Sequence, residues 1–337
     1  MNWRTEIYRK AIRIAEQYRT EKGVRGVAIG GSVARRTVWK HSDLELCLFV
    51  EEYLPKFDYF NVIDGLGVEI IQINVANVRA FLDHYAEDGS IQGALNFPIQ
   101  AYQCRIVHDP EGLLAAFKQI YDRALFDDRV KSVKKQEAKQ RADERYGIAL
   151  RLLEEGKSGS ALAALRLAVN ELMLAYYWHH DILPRSQNRT VYLLKRHSRK
   201  LGSDELFRLF TEAYGLTGSK AKMKEELLAA KNDLFSIASA AWGRNAPEFL
   251  EKACDGQLEW GYESSILYVH KWCVHTIHFA ELTQAIYDRP EFARQYPELS
   301  GFLGFDRVDA KQISVWTEDY AKIGSKISLA DDGNDIP

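Results

Sequence analysis

Residues 27–46 read VAIGGSVARRTVWKHSDLEL, and the fold prediction depends on this stretch. An apolar run ends at the turn Gly30-Gly31-Ser32, and a second apolar run follows it. Glycines let a backbone turn sharply and approach a ligand closely, while a helix that starts after such a turn offers N–H groups to phosphate oxygens. The Ser32 hydroxyl and the Arg35 guanidinium add two more donors of the kind that bind phosphate. The stretch therefore predicts a strand, a candidate phosphate-binding turn, a short helix and a second strand.

Two carboxylates at alternate positions, Asp43 and Glu45, stand at the start of the second strand. Residues i and i+2 of a strand face the same side, so both acids are expected on one face. Like charges this close are costly unless a cation neutralises them, and Mg²⁺ prefers carboxylate oxygens together with phosphates. A third acid, Glu69, interrupts the apolar run 68–73 and needs a partner if it is buried. A solvated strand edge is the alternative for these acids, but their position after a Gly-Gly-Ser turn favours a metal site.

The overall composition excludes several classes of protein. The 337 residues carry 45 Lys and Arg against 47 Asp and Glu, a formal net charge of −2, which argues against a protein that grips nucleic acid through bulk positive charge. No run approaches the roughly 18 apolar residues of a membrane span, and the first residues lack a signal peptide. Four cysteines without close pairing suit a reducing compartment. We expect a soluble cytoplasmic protein without a membrane partner.

The pattern of the chain changes near residue 127. Before it, β-rich runs alternate with helical ones, and these runs are 24–29, 44–50, 68–75 and 101–107. After it, strand signals vanish and helical periodicity dominates. The prediction is an α+β protein, with a mixed sheet and flanking helices over 1–127, an all-α helical bundle over 128–328, and a disordered acidic tail over 329–337.

The acidic pattern and the turn together resemble the nucleotidyltransferase superfamily of DNA polymerase β, and within it the kanamycin nucleotidyltransferase group of aminoglycoside-adenylylating enzymes. The matching residues are Gly31, Ser32, Arg35, Thr37, Ser42, Asp43, Glu45 and Glu69. The resemblance implies that Asp43, Glu45 and Glu69 bind Mg²⁺. It also implies a nucleotide-binding set made of Gly30, Gly31, Ser32, Arg35, Thr37 and Ser42. Ala34 stands where the superfamily has a glycine.

The resemblance continues more weakly into the helical half. A glutamate that acts as general base in these enzymes falls on Glu144, inside a charged helical stretch. A solvated helix face is the alternative interpretation for Glu144, and Asp143 is the nearest substitute for the base. A lysine of the family one turn further on is absent, since Ile148 stands there.

The function that the resemblance implies is a Mg²⁺-dependent transfer of a nucleoside monophosphate, with AMP from ATP expected, onto a hydroxyl of a small-molecule acceptor such as an aminoglycoside antibiotic. The catalytic residues would be Asp43, Glu45, Glu69 and Glu144. The helices of 128–328 are candidates for acceptor binding and for homodimerisation. Two alternatives stay open: a toxin-like nucleotidyltransferase that acts on RNA or protein, and a non-catalytic nucleotide-binding scaffold protein.

Overall fold

The chain divides into two compact units in a computed structural model of the protein. The first unit comprises Met1–Lys131 and Trp242–Gly256, and the second comprises Ser132–Ala241 and Gln257–Pro337. The residues that the structure describes are 2–40, 42–184, 190–216, 225, 228–233, 236, 244–252, 284–305 and 307–329. The residue pattern places 244–252 in the predicted bundle 128–328, whereas these described residues group with the first unit.

The first unit is built on a five-stranded mixed sheet with the order β3-β4-β2-β1-β5. The strands are β1 (Val24–Ile29), β2 (Leu44–Val50), β3 (Phe60–Ile63), β4 (Leu66–Asn74) and β5 (Arg105–His108). The pair β2 and β4 is parallel, and the other neighbours are antiparallel. The predicted bounds of β1 and β2 are confirmed, while the run predicted over 101–107 shortens to β5. The sequence analysis missed β3, because this short strand lies among turn-forming residues and shows little alternation.

Both faces of the sheet are covered by helices of the first unit. These helices are α1 (Trp3–Gln17), α2 (Gly31–Ala34), α3 (Val75–Asp88) and α4 (Leu113–Ala124). One core cluster joins apolar residues of α1 to those of β1, β2 and β4, with Ala11, Ile14, Leu46 and Val68 almost inaccessible to solvent. Burying side chains of this size contributes roughly 1.5–3 kcal/mol for each Ile or Leu. This core fixes the register of β2 against β4, and with it the positions of the acids on these strands.

The other face of the sheet carries an aromatic cluster. Phe49 of β2 meets Phe117 of α4 with ring centroids 5.7 Å apart, and Phe117 also contacts Phe81 of α3 at 6.1 Å. Helix α3 begins where the Asn74 side chain accepts the Ala76 N–H at 2.7 Å, which satisfies one of the free donors of the first turn. The carboxylates Glu45 and Glu69 belong to strands whose apolar residues are thus buried on both sides.

All regular secondary structure in the described part of the second unit is helical. Its helices include α5 (Asp128–Glu154, which starts in the first unit), α6 (Ser158–His179), α7 (Thr190–Lys200), α8 (Glu205–Ala213), α9 (Pro290–Gln295), α10 (Pro297–Leu303) and α11 (Ala310–Leu329). The α+β fold class is therefore confirmed. Within the described residues, no helix is long and apolar enough to cross a membrane. The predicted disordered tail 329–337 lies outside the described residues except for Leu329, which ends α11.

A buried arginine joins the helices of the second unit. Arg166 of α6 donates to the backbone carbonyls of Ala213 at 2.7 Å and Leu303 at 2.6 Å, near the carboxyl ends of α8 and α10. The last carbonyls of a helix have no partner within it, so the guanidinium satisfies groups that would otherwise be buried without hydrogen bonds. Burial lowers the pKa of Arg166 to about 10, which still leaves it charged at neutral pH.

Candidate active site

The turn after β1 is shaped to receive the carboxylate of Glu45. Gly31 has a φ of +57°, and a Cβ at this residue would overlap the Glu45 carboxylate. The Ser32 N–H donates to Glu45 Oε2 at 3.1 Å, and the Gly30 N–H donates to the Glu45 carbonyl at 2.7 Å. Only glycine permits both this backbone conformation and this close approach. The turn therefore leaves space for the Glu45 carboxylate and hydrogen-bonds to it, while strand β2 supplies the residue.

The strand register places the other two acids on the same face as Glu45. In the parallel pair of β2 and β4, Glu45 is directly opposite Glu69, and opposed residues of neighbouring strands point to the same side of a sheet. Asp43 stands two residues before Glu45 and one before β2 begins. All three side chains are partly buried. The structure therefore brings together the three acids predicted from the sequence.

The electrostatics of this cluster differ from those of ordinary surface acids. Burial raises the pKa of Asp43 to about 6. Burial and then the charge of Asp43 raise the pKa of Glu45 to about 7, although Arg35 and the Ser32 N–H oppose this shift. Burial, followed by repulsion from Asp43 and Glu45, holds the pKa of Glu69 well above its usual range. Because each shift favours the protonated form, a cation that offset the negative charge would stabilise the cluster.

The carboxylate oxygens of Asp43, Glu45 and Glu69 fit a cation site whose coordination shell is completed by water and substrate, rather than one filled by protein ligands alone. Among the residues that the structure describes, no three His, Cys, Asp or Glu side chains are arranged to hold a metal ion by themselves. Glu45 directs one oxygen to the backbone of Ser32 instead. Mg²⁺ commonly binds one or two carboxylates and completes its shell with water and substrate phosphates. The raised pKa values and the purely oxygen-based chemistry of Asp43, Glu45 and Glu69 fit a site of that kind.

Four of the predicted nucleotide-binding residues have distinct surroundings. The Ser32 hydroxyl oxygen is buried and has no hydrogen-bond partner in the described part of the chain. Arg35 donates from Nη1 to the Tyr102 carbonyl at 3.4 Å. The Thr37 N–H donates to the Ser32 carbonyl at 2.9 Å. Ser42 is buried, and its hydroxyl accepts the Trp39 N–H at 3.0 Å. Ser32 is therefore the residue with a free hydroxyl at the turn, while Ser42 is engaged in closing the loop before β2.

The sequence analysis missed one neighbour of the carboxylates. The hydroxyl of Tyr59, just before β3, lies 3.5 Å from Glu69 Oε2 and donates to it. Burial and the negative charge of Glu69 both raise the pKa of Tyr59, so it stays protonated beside the cluster. No pattern in the sequence indicates Tyr59. It comes close to Glu69 because β3 and β4 form a hairpin, and this hairpin was not predicted from the sequence.

The predicted base lies in the second unit, on α5. Glu144 is exposed, and its Oε1 accepts a hydrogen bond from Gln140 Nε2 at 3.0 Å. It stands on the wall of a pocket of about 380 Å³ whose lining residues are Lys135, Gln136, Lys139, Gln140, Asp143, Glu144 and Ile327. Asp143, the substitute considered for the base, forms an ion pair with Lys139 at 2.6 Å and accepts from the Tyr320 hydroxyl at 3.3 Å. Of the two acids, only Asp143 has an ion pair within the described part of the chain.

No family model matches the chain, and no curated protein matches it. Among solved structures, the chain is similar to the crystal structure of a nucleotidyltransferase-like protein from Exiguobacterium sibiricum 255-15. That similarity spans 88% of this chain and 88% of the other, with 12% sequence identity and a TM-score of 0.34. At this level of similarity, the site has to be interpreted from its own residues.

Proposed function

We propose that the protein is a Mg²⁺-dependent nucleotidyltransferase that transfers AMP from ATP to a hydroxyl of a small-molecule acceptor. The observation that carries the proposal is the position of the Glu45 carboxylate, which fills the space beside Gly31 and accepts the Ser32 N–H. This packing places the glycine turn, with the hydroxyl of Ser32, next to the sheet face that carries the three acids Asp43, Glu45 and Glu69. Three partly buried carboxylates with raised pKa values are not expected at a strand edge without a functional role, because their mutual repulsion destabilises the fold.

The roles of the residues follow from their chemistry. The Ser32 hydroxyl and the Arg35 guanidinium bind phosphate oxygens of the triphosphate. Asp43, Glu45 and Glu69 would hold Mg²⁺, which would supply positive charge to the transferred phosphate and the leaving group. Tyr59 donates to Glu69 and fixes the orientation of that carboxylate. Gly30 and Gly31 let the backbone of the turn approach closely enough for these groups to face one ligand.

The transfer itself needs a base for the acceptor. In the proposed reaction Glu144 takes the proton of the acceptor hydroxyl, and the hydroxyl oxygen forms a bond to the α-phosphorus. The bond between the α-phosphorus and the bridging oxygen breaks, and pyrophosphate leaves with the electron pair. A carboxylate without an ion pair suits this role better than one bound to a lysine, because the lysine competes with the acceptor hydroxyl for the carboxylate oxygens. Within the described residues Glu144 meets this condition and Asp143, which is paired with Lys139, does not.

The acceptor class is proposed from the resemblance and from the pocket that Glu144 lines. Two glutamine amides, Gln136 and Gln140, stand beside Glu144 in this pocket, and amides hydrogen-bond well to hydroxyl groups. A hydroxyl-rich molecule fits such a lining, and an aminoglycoside is the acceptor that the resemblance implies. Lys135 and Lys139 line the same pocket and balance the charges of Asp143 and Glu144. Recognition of the acceptor would therefore depend on its hydroxyl groups as much as on its amines.

The experiment is a transfer assay with the full-length protein. Each of the four nucleoside triphosphates, labelled at the α-phosphate, is incubated with Mg²⁺ and a panel of aminoglycosides, and labelled products are separated by chromatography. We expect label on a small acceptor with ATP as the donor, and no transfer by Asp43→Asn. Parallel reactions with total RNA and with purified proteins as acceptors test the toxin-like alternative. Failure to label any acceptor, while the triphosphate still binds, would favour the scaffold alternative.

A further inference from the structure

A segment far along the chain packs against the sheet of the first unit. Residues 244–252 include a helical stretch from 246 to 252. Asn245 Nδ2 donates to Asp58 Oδ2 at 2.8 Å, across 187 positions of sequence. The Phe249 ring meets the Phe60 ring of β3 with centroids 4.6 Å apart, and only 1% of Phe249 is exposed. Asn245 Nδ2 also donates to Asn61 Oδ1 of β3 at 3.4 Å, so polar contacts and one aromatic contact anchor the segment to β3 and to the residues just before it.

The Phe249 ring lies on the face of the sheet that carries the three acids. Phe60 is opposite Glu69 in the antiparallel pair of β3 and β4, so the two side chains share a face. Gly67 stands two residues before Glu69 on β4 and belongs to that face as well. A Cβ at Gly67 would lie 3.1 Å from Phe249 Cε2 and 3.9 Å from Asp43 Cβ. Phe249 and Asp43 therefore border the same space above Gly67.

This arrangement explains a glycine inside a β-strand, where glycine is otherwise unfavourable. A Cβ at Gly67 would press against the Phe249 ring, which would have to shift to admit it. The buried ring covers the start of β4 with carbon, at the place where Asp43 Cβ also lies close to Gly67.

We propose that Phe249 is a positioning residue for Asp43, and that the segment 244–252 is part of the candidate active site although it lies far from the Gly-Gly-Ser turn in sequence. The ring fixes the start of β4 beside Asp43 and keeps water from that carboxylate. The catalytic meaning of this positioning rests on the proposed nucleotidyl transfer, but the contact with Asp43 can be tested without it.

The test compares the effect of Asp43→Asn in four backgrounds of the full-length protein. These backgrounds are wild type, Phe249→Ala, Phe249→Leu and Phe81→Ala. Phe81 is a matched control, because it is also a buried phenylalanine of the first unit but packs against Phe97 and Phe117. The thermal unfolding midpoint is measured at pH 8 without divalent cations, where replacement of an ionised buried carboxylate removes a desolvation cost.

We expect Asp43→Asn to raise the midpoint equally in wild type and in Phe81→Ala. The increase should be smaller in Phe249→Ala by about 2 °C or more, because water already reaches residue 43 there, and Phe249→Leu should restore most of it. Equal increases in Phe249→Ala and Phe81→Ala would overturn the proposal, since the ring would then have no relation to Asp43.

Steady-state kinetics provide a second readout. They are measured at a temperature below the unfolding midpoints of all variants. We expect Phe249→Ala to lower kcat for transfer at least tenfold with little change in KM for ATP, and Phe81→Ala to keep both. A loss that is equal in the two variants would show a merely structural role. If Asp43→Asn has a smaller effect on the unfolding midpoint in Phe249→Ala but the wild-type protein shows no nucleotidyl transfer, the proposed function is wrong and the role of Phe249 stands. If the wild-type protein shows nucleotidyl transfer but the effect of Asp43→Asn is the same in Phe249→Ala, the positioning role of Phe249 is wrong and the proposed function stands.

Discussion

The Glu45 carboxylate fills the space that a side chain on Gly31 would need, and it accepts the Ser32 N–H at 3.1 Å. Gly31 and Ser32 belong to the first turn of α2, which follows β1, and Glu45 belongs to β2, so a change in one of these elements disturbs the other. A carboxylate packed this closely against a backbone has few orientations left. We infer that the turn holds Glu45 in place for a ligand, while Asp43 and Glu69 complete the acidic face.

Gly31→Ala should abolish transfer and destabilise the first unit. The added Cβ would collide with the carboxylate of Glu45, and a φ of +57° is itself unfavourable for alanine by roughly 1–2 kcal/mol. Gly89→Ala is the control, because Gly89 has a φ of +73° and open space where a Cβ would lie. Transfer rates and denaturant unfolding are measured for both. A Gly31→Ala protein as active as Gly89→Ala would contradict the importance of the packing.

Asp43→Asn should lower the transfer rate at least a hundredfold while the fold stays intact. The substitution keeps the shape of the side chain but removes a charge that we assign to Mg²⁺ binding, and the loss of that stabilisation in the transition state corresponds to about 3 kcal/mol or more. Asp64→Asn is the control, since Asp64 is an acid of the same unit in a surface ion pair with Arg13. Circular dichroism checks folding, and labelled-nucleotide transfer checks activity. Near wild-type turnover in Asp43→Asn would rule out the metal-site assignment.

Without divalent cations, the stability of the first unit should fall as the pH rises from 5 to 8. The pKa of Asp43 is raised to about 6 and that of Glu45 to about 7 in the folded protein. The folded state therefore binds more protons than the unfolded state in this range, and the free energy of unfolding must decrease with pH. One unit of pKa shift corresponds to about 1.4 kcal/mol. Denaturant unfolding at several pH values, with a chelator present, measures the slope.

Two additions make this pH dependence specific. Glu45→Gln should flatten the slope, because it removes a titrating group and relieves Asp43, whereas Glu87→Gln on the exposed face of α3 should leave it unchanged. Mg²⁺ added to wild type at pH 8 should recover stability by binding the ionised acids. An equal slope in Glu45→Gln and in wild type would mean that other groups cause the dependence.

Glu144→Gln should reduce turnover by about 10²–10⁴ and leave the affinity for ATP nearly unchanged, as expected for the loss of a general base. Asp143→Asn should mainly lower the stability of the second unit, because Asp143 is bound to Lys139 and to Tyr320. Steady-state kinetics and equilibrium nucleotide binding separate these effects. If Glu144→Gln is fully active, its carboxylate is an ordinary exposed group, and attention shifts to Asp143.

The acidic face was predictable from the sequence, while its surroundings were not. Alternation places Asp43 and Glu45 on one side of a strand, and an acid inside an apolar run marks Glu69, so local periodicity contains this information. Tyr59 and Phe249 carry no such signal. Tyr59 reaches Glu69 through the β3–β4 hairpin, and Phe249 reaches Gly67 from a segment that local patterns assign to the helical bundle. Contacts between residues so far apart in sequence are set by packing, which periodicity does not encode.

The fold class, the strands β1 and β2 and the acids that share a face are all predictable from the amino-acid sequence, because these features depend on the repeat of apolar residues along a strand or helix. Three further features became visible in the folded protein alone: Glu45 packs into the space beside Gly31, burial raises its pKa, and the segment 244–252 joins the first unit. The reason is physical: the cost of burying a charge and the shape of the space around it depend on every residue that packs there, whatever its place in the chain.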